Sequence, residues 1–534
     1  MSPGAGEATV AAMIPIHPPK PENPPTRTIV DMVRDSARQN PDRAALVCGE
    51  NRVTWRDFDA SINRVANMAR ALGVQRGENV AILSENSIPY ATLFLGLLRA
   101  GACVTPLSSM ASSEALEKML SDCNARLLFL SQQYLDLAAP FLDRVRLTKV
   151  AIDFTAPGFL DYTQLMAEAG EDDPLVRIDL HDPFNLIYSS GTTGTPKGIL
   201  HSHWMRAAQM DRVTANGYDD DARTLISTPL YSNTTIVAFL PTLVGGSTVH
   251  LMPKFDTQRW LEIAERERIT HTMLVPVQYK RLLEHPEFDQ YDLSALRVKF
   301  STSAPLRQEV KADALRRFPG KLMEYYGLTE GGGVTVLSAT DHPDKLHTVG
   351  LPAPGCDIRL LDEQGRDVPA GEVGEVCGRS PTMMAGYLGR DDLTEAQIWR
   401  DDAGQVYFRS GDMGRFDEDG FLILSDRKKD MIISGGLNIY ADDLERVLLS
   451  DPDVSDVAVI AVPSPDWGET PLGLVVAAPG ATPDPEAIRD RANAQLGKSQ
   501  RLSAVELRDS LPRSDIGKIL KRELRAPYWQ GQKT

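Results

Sequence analysis

Four short stretches of this chain carry the residue types that could do chemistry. The first is Tyr188-Ser189-Ser190-Gly191-Thr192-Thr193-Gly194-Thr195-Pro196-Lys197-Gly198. Three glycines let backbone N–H groups converge on an anion, because no Cβ blocks the approach. The hydroxyls add donors and Lys197 adds a mobile positive charge. This composition describes a phosphate cradle. It is not the Walker loop, which ends Gly-Lys-Ser/Thr; Pro196 precedes the lysine and Gly198 follows it. The bland alternative, a flexible surface turn, fits any single Gly-x-x-Gly better than it fits the whole stretch.

The second stretch is Tyr326-Gly327-Leu328-Thr329-Glu330. An aromatic face can stack on a base, a threonine can hold a phosphate, and a glutamate can reach a Mg²⁺ on that phosphate. The third is Arg409-Ser410-Gly411-Asp412, where a carboxylate beside a glycine turn can accept two ribose hydroxyls. The fourth is Ser514-Asp515-Ile516-Gly517-Lys518, a lysine held on a turn at the start of a helix. Alone, each of the last three is an ordinary turn.

These stretches need a frame to position them. A chain of 534 residues is too long for one core and should divide into lobes. Strand-like and helix-like segments alternate from Thr28 onward, the signature of helices packed on mostly parallel sheets. Phe184 to Tyr188 reads as a buried strand leading into the cradle, and Ile199 to Met210 as the start of a helix after it. From Val349 the pattern turns to glycine-punctuated β structure. The charged run Ser425 to Asp430 separates a large lobe from about a hundred residues with their own α+β pattern. The expected fold class is therefore α/β: a large N-terminal lobe of mostly parallel sheets flanked by helices, with a β-rich subdomain, joined by a hinge to a small α+β lobe. The expected boundaries are a flexible tail over 1–25, a large N-terminal domain over 26–425, a hinge over 426–430 and a mobile C-terminal domain over 431–534.

Composition excludes several classes. With 73 acidic against 57 basic residues the net charge is −16, which argues against a general nucleic-acid or anionic-membrane surface. The longest apolar run, Ala91 to Val104, is broken by Arg99 and is shorter than the ~20 residues needed to span a bilayer. Five scattered cysteines without a Cys-x-x-Cys suit buried thiols in a reducing cytoplasm. The proline-rich N-terminal residues do not form a signal peptide.

Taken in order, the four stretches resemble the signatures of the adenylate-forming superfamily of acyl-CoA synthetases, peptide-synthetase adenylation domains and luciferases. The resemblance runs from about Thr28 to Arg525 and is nearest to AMP-forming fatty acid and aryl acid CoA ligases. It implies two half-reactions: a carboxylate attacks Mg·ATP to give acyl-adenylate and pyrophosphate, and CoA thiolate then displaces AMP. ATP and CoA are then substrates, and Mg²⁺ is the metal, held by Glu330. The likeness assigns Ser189, Ser190, Gly191, Thr192, Thr193, Gly194, Thr195 and Lys197 to the ATP phosphates. It assigns Ser303-Ala304-Pro305 and Tyr326 to adenine, Thr329 to phosphate, and Asp412 and Arg427 to ribose. Lys429 is the implied pivot, Gly435, Gly436 and Leu437 the CoA side, and Lys518 the catalytic lysine. The family's usual Lys-x-Pro is absent; Gly497-Lys498-Ser499-Gln500-Arg501 stands there.

The acyl pocket is expected at Tyr231, Ser232, Asn233 and Thr235, with Gly331, Gly332 and Gly333 as a wall. Serine stands at position 232 where many relatives carry histidine. Neither stretch contains a cation, which points to a neutral, largely apolar monocarboxylic acid, fatty or aryl. Free CoA is the expected acceptor, with a separate acyl carrier protein as one alternative and a non-catalytic nucleotide-binding regulator as another. A cytoplasmic enzyme acting on small molecules, with a homodimer as one assembly open to it, is the sum of these expectations.

Overall fold

The computed structural model describes residues 24–189, 196–427, 430–434, 437–465, 467–496, 500–514 and 517–529. By contact density the chain forms two compact units. The first comprises Met1–Leu346, Pro352–Asp357 and Gly378–Phe408; the second comprises His347–Leu351, Ile358–Cys377 and Arg409–Thr534. The hinge expected at 426–430 falls inside the second unit, and Lys428 and Lys429 lie outside the described residues.

The site-bearing part of the first unit runs β1 (Ala44–Cys48), β2 (Asn51–Thr54), β3 (Pro183–Ser189), β4 (Lys197–Ser202), α1 (His203–Ala208), β5 (Arg223–Ile226), α2 (Asn233–Val244), β6 (Thr248–Leu251), β7 (His271–Leu274), β8 (Val298–Ser301), α3 (Gln308–Arg317), β9 (Lys321–Leu328), β10 (Gly331–Ser338) and β11 (Gly386–Tyr387). One sheet contains the run β10-β9-β8-β7-β5-β6-β1-β2. The run from β9 to β1 is parallel, and the pairs β1–β2 and β9–β10 are antiparallel. The other sheet places β11, β4 and β3 beside Cys103–Pro106, Asn79–Leu83, Leu127–Leu130, Thr148–Ala151 and Leu160–Asp161. This is the α/β architecture that the alternation predicts.

Aromatic packing ties the two sheets to a shared core. Phe94, on the helix Ile88–Arg99, meets Phe184 of β3 at 6.1 Å and Phe239 of α2 at 6.3 Å between ring centroids. That helix lies close against the helix Trp55–Ala71 because residue 96 is glycine; a Cβ there would sit 2.4 Å from Val65. A core at organic-crystal density does not absorb such an overlap without moving backbone.

One local expectation is overturned. The cradle does not pass from strand into helix. Lys197 to Ser202 forms β4, antiparallel to β3, with Ser189 opposite Lys197 and Tyr188 opposite Gly198. The helix starts only at His203, where the Ser202 hydroxyl accepts from the Met205 amide. A short apolar run satisfies either helix or strand. Two strand partners, β3 and β11, supply the ladder bonds that decide it.

The division between units passes within β12 (Val406–Phe416), which pairs with β13 (Leu422–Arg427) in the second unit. Further on, Gly468–Ala477 lies between Val454–Ser464 and Ile432–Ser434, and pairs in parallel with Ala504–Leu507. The helices Ala441–Leu449 and Pro485–Gln495 bury Leu444, Leu448 and Ile488 against Val457, Val459 and Val475 of this sheet.

Candidate functional site

The second chemical stretch lies at a hairpin tip. Leu328 and Gly331 close the β9–β10 pair, so Thr329 and Glu330 are the two tip residues. Gly331 follows with φ +80 and Gly332 with φ +75, the left-handed conformation that a tight hairpin of this length needs after its turn. A Cβ on Gly331 would lie 2.1 Å from the Thr382 carbonyl oxygen. A Cβ on Gly332 would meet Phe408 Cβ at 3.1 Å and the Gly378 oxygen at 3.2 Å, and one on Gly378 would lie 2.0 Å from Gly333 N. The geometry gives Gly331 and Gly332 a backbone role, close approach and turn. Gly331→Ala is expected to destabilise the first unit by more than the ~1–2 kcal/mol of left-handed strain and to slow pyrophosphate release, read by urea unfolding and by a pyrophosphate assay. Unchanged values in both would mean that the tip relaxes freely.

Three contacts fix the tip. The Tyr387 hydroxyl donates to Glu330 Oε1 at 2.9 Å. The Met384 amide donates to the Glu330 carbonyl at 2.8 Å. His201 Nε2 meets the Thr329 carbonyl at 2.8 Å. Tyr387 is buried, and burial together with the Glu330 charge pushes its phenol up, so it remains a donor. Its ring also lies under Lys197, whose Nζ is 5.4 Å from the centroid. Tyr387 thus holds Lys197 and Glu330 in one cluster.

The donor set suits Mg²⁺ brought in on phosphates. Glu330 is half-buried and has one oxygen bound to Tyr387. Among the described residues no group of three or more His, Cys, Asp or Glu could cage a metal. Mg²⁺ binds through one or two carboxylates, substrate phosphates and waters rather than through an all-protein cage.

The adenine-side segment follows β8. Ser303 has φ +81, rare for a residue with a side chain, and its hydroxyl shares a hydrogen bond with the Thr234 hydroxyl of α2. Downstream, Glu324 Oε1 accepts from the Leu306 amide at 2.9 Å, and its other oxygen pairs with Lys311 of α3. Burial pushes the Glu324 carboxyl up while Lys311 pulls it back. Tyr326, on β9, is half-buried.

The expected acyl stretch forms the head of α2. Ser232 caps the helix through the Thr234 amide, and the Thr235 hydroxyl donates to the Pro229 carbonyl at 2.6 Å. Asn233 Oδ1 accepts from Arg206 Nη1 at 2.9 Å, so a buried cation stands behind a stretch that has none of its own. One turn deeper, Val237 lines a small cavity of about 10 Å³ with Asn216, Tyr218, Met273, Phe300 and Tyr325. The Tyr218 ring stacks on His271 at 4.4 Å and lies nearly parallel to Phe300 at 6.3 Å. Tyr231, Ser232, Asn233 and Thr235 do not line this cavity, and neither do the three glycines.

In the second unit, Asp412 is buried and stands directly across β12–β13 from Arg427, so the two expected ribose residues share one register position. The Ser410 hydroxyl accepts from the Asp412 amide at 2.9 Å. Lys518 is half-buried on a tight turn: its carbonyl accepts from the Ser514 amide at 2.8 Å, and Gly517 has φ +76. Arg513 pins this turn through Asp456 at 2.6 Å. Ser190, Gly191, Thr192, Thr193, Gly194, Thr195, Lys429, Gly435 and Gly436 lie outside the described residues, as do the side chains of Ser189, Arg427 and Leu437.

The comparisons bear on this arrangement. The sequence model of the AMP-binding enzyme family matches residues 33–388, and that of the AMP-binding enzyme C-terminal domain matches residues 443–518. The chain belongs to the AMP-binding enzyme family. Within that family it is an adenylate-forming acid–thiol ligase of the acyl- and aryl-CoA kind. It is 34% identical to the feruloyl-CoA synthase of an Amycolatopsis species, over 92% of this chain and 97% of that one. It is 32% identical to a medium/long-chain-fatty-acid–CoA ligase of Mycobacterium tuberculosis, over 92% and 89%. The solved anthranilate CoA ligase in complex with anthranoyl-AMP superposes with a TM-score of 0.84 at 25% identity, over 95% and 98%. No described helix of this AMP-binding enzyme is long and apolar enough to cross a membrane.

Proposed function

We propose that this enzyme activates an aryl monocarboxylic acid as its acyl-adenylate and passes the acyl group to CoA. What supports the aryl choice is the likeness to a feruloyl-CoA synthase, 34% identical over 92% of this chain. Tyr218, Phe300 and Tyr325 beside α2 supply an aromatic surround, which favours a planar guest.

In the first step an acid carboxylate oxygen attacks the α-phosphorus of ATP. The bond to the bridging oxygen breaks, and pyrophosphate leaves with the electron pair. In the second step the CoA thiolate adds to the acyl carbon and AMP leaves. Mg²⁺ on the phosphates would neutralise charge as it develops. Glu330 would hold it, and Tyr387 and Met384 would fix where Glu330 points. Lys197 and Thr329 would meet the phosphates, and Asp412 with Arg427 the ribose. Lys518 would bridge the α-phosphate and the acid. Lys429 would be the pivot between the two steps, with Gly435, Gly436 and Leu437 on the CoA side.

A panel of aryl and straight-chain acids, scored by pyrophosphate release and by AMP release with and without CoA, tests this. Aryl acids are expected to lead, with thioester formed only when CoA is present. Val237→Phe should crowd this aromatic surround and cost aryl acids about 1–3 kcal/mol in kcat/KM with little change in ATP affinity. A panel led by long fatty acids, or an unchanged ranking in Val237→Phe, would remove the aryl assignment.

A further inference from the structure

A buried polar chain connects the head of α2 to the Thr329–Glu330 tip. Arg206 and His201 are both fully buried. Arg206 Nη1 donates to Asn233 Oδ1 at 2.9 Å, and its Nη2 donates to His201 Nδ1 at 2.7 Å. On the far side, His201 Nε2 lies 2.8 Å from the Thr329 carbonyl.

These contacts define the proton position. A guanidinium only donates, so Nδ1 must be the lone-pair nitrogen. A carbonyl only accepts, so Nε2 must carry the hydrogen. Asn185 Oδ1, 3.3 Å from Nδ1, is then a second acceptor for Arg206, which reaches it at 3.1 Å from both Nε and Nη2. Burial first, and the Arg206 charge second, hold the His201 imidazole well below its ordinary pKa, so the ring is neutral at physiological pH. One tautomer, fixed by the arginine, donates to one carbonyl. The same logic orients ligating histidines from behind, with a backbone carbonyl in place of a metal.

We propose that His201 is a positioning residue: with Arg206 it forms a relay that fixes the aim of Thr329 and Glu330 and couples that aim to the acyl helix through Asn233. Thr329 and Glu330 are a two-residue tip with little else to hold them. The Glu330 side is held by Tyr387 and Met384, and His201 holds the Thr329 side. A shift of α2 on acid binding moves Asn233, and the chain of three hydrogen bonds carries that shift to the tip. Acid and Mg·ATP should therefore bind with mutual dependence. The proposal rests on the acid-activating reading above.

The test compares His201→Leu with His201→Gln in the full-length enzyme. Leucine keeps the volume and suits β4, but neither donates nor accepts. Glutamine can do both. Nucleotide affinity is read by calorimetry with a non-hydrolysable ATP analogue. Metal affinity is read from the electron paramagnetic resonance of bound Mn²⁺ in its presence. His201→Leu is expected to weaken bound Mn²⁺ about 10-fold or more, to raise the KM for Mg·ATP more than it lowers kcat, and to abolish the effect of added acid on analogue affinity. His201→Gln should recover most of each loss. Equal losses in both variants, or unchanged metal and analogue affinity with only a lower unfolding midpoint, would overturn the relay and leave His201 a packing residue. Both binding measurements work without turnover. A wild type that activates no acid would therefore refute the proposed function while the relay is still tested.

Discussion

Lys518→Ala should fold as the wild type does, bind ATP, and lose adenylate formation by about 10²–10³-fold, or ~2.7–4 kcal/mol. Lys518 sits on a tight turn pinned by its neighbours. The Ser514–Lys518 backbone bonds, the left-handed Gly517 and the Arg513–Asp456 pair hold it, so truncation should leave the second unit intact. The charge lost is a compact ammonium able to bridge a phosphate and a carboxylate oxygen. Supplied with ready-made acyl-adenylate and CoA, the same variant should form thioester at close to the normal rate. Normal adenylate formation, or equal failure on the supplied intermediate, would return Lys518 to an ordinary half-buried lysine.

Glu324→Leu should destabilise the first unit by about 3–5 kcal/mol, because it removes the carboxylate of a buried ion pair with Lys311. Both side chains are almost fully buried. Lys311 also donates to the Leu346 carbonyl at 2.9 Å, which does not neutralise its charge. The Leu306 amide loses its acceptor as well. The double change Glu324→Leu with Lys311→Met should recover most of the stability, since an apolar pair can replace a buried ion pair at little cost. It should not recover ATP affinity if Glu324 serves to hold the Ser303-Ala304-Pro305 turn. Urea midpoints and analogue binding separate the two effects. Full recovery of both would confine Glu324 to packing.

How much of this was legible in the sequence depends on the kind of residue. The parallel strands were readable as apolar runs closed by turn residues, and Thr54, Ser87 and Ser112 each cap the helix that follows them. The helix α2 was not readable: Asn233–Val244 is apolar almost all round, so it shows no 3.6-residue stripe. The run from Ile199 to Ser202 reads as the start of a helix in sequence and folds as strand because its partners, β3 and β11, are supplied by tertiary structure. Within the site, the motif residues stood out by type and spacing. Their supports did not. Arg206 comes to Asn233 from 27 positions earlier in the chain, and Glu324 reaches Leu306 from 18 positions later. One clue was available: Arg206 is the one charged residue in the mostly apolar Trp204–Ala208 segment, and a charge placed there needs an explanation.

The hydrogen bond between Ser303 and Thr234 has a bearing on attempts to retarget the enzyme. A designer seeking a new acid would exchange α2 and the residues around Val237 for those of another ligase. Such a transplant also replaces the partner that bonds the left-handed Ser303, in the segment expected to back adenine. Chimaeras that omit this pair would be expected to show altered ATP dependence that looks like poor acid recognition. Moving positions 234 and 303 together keeps the two partners matched.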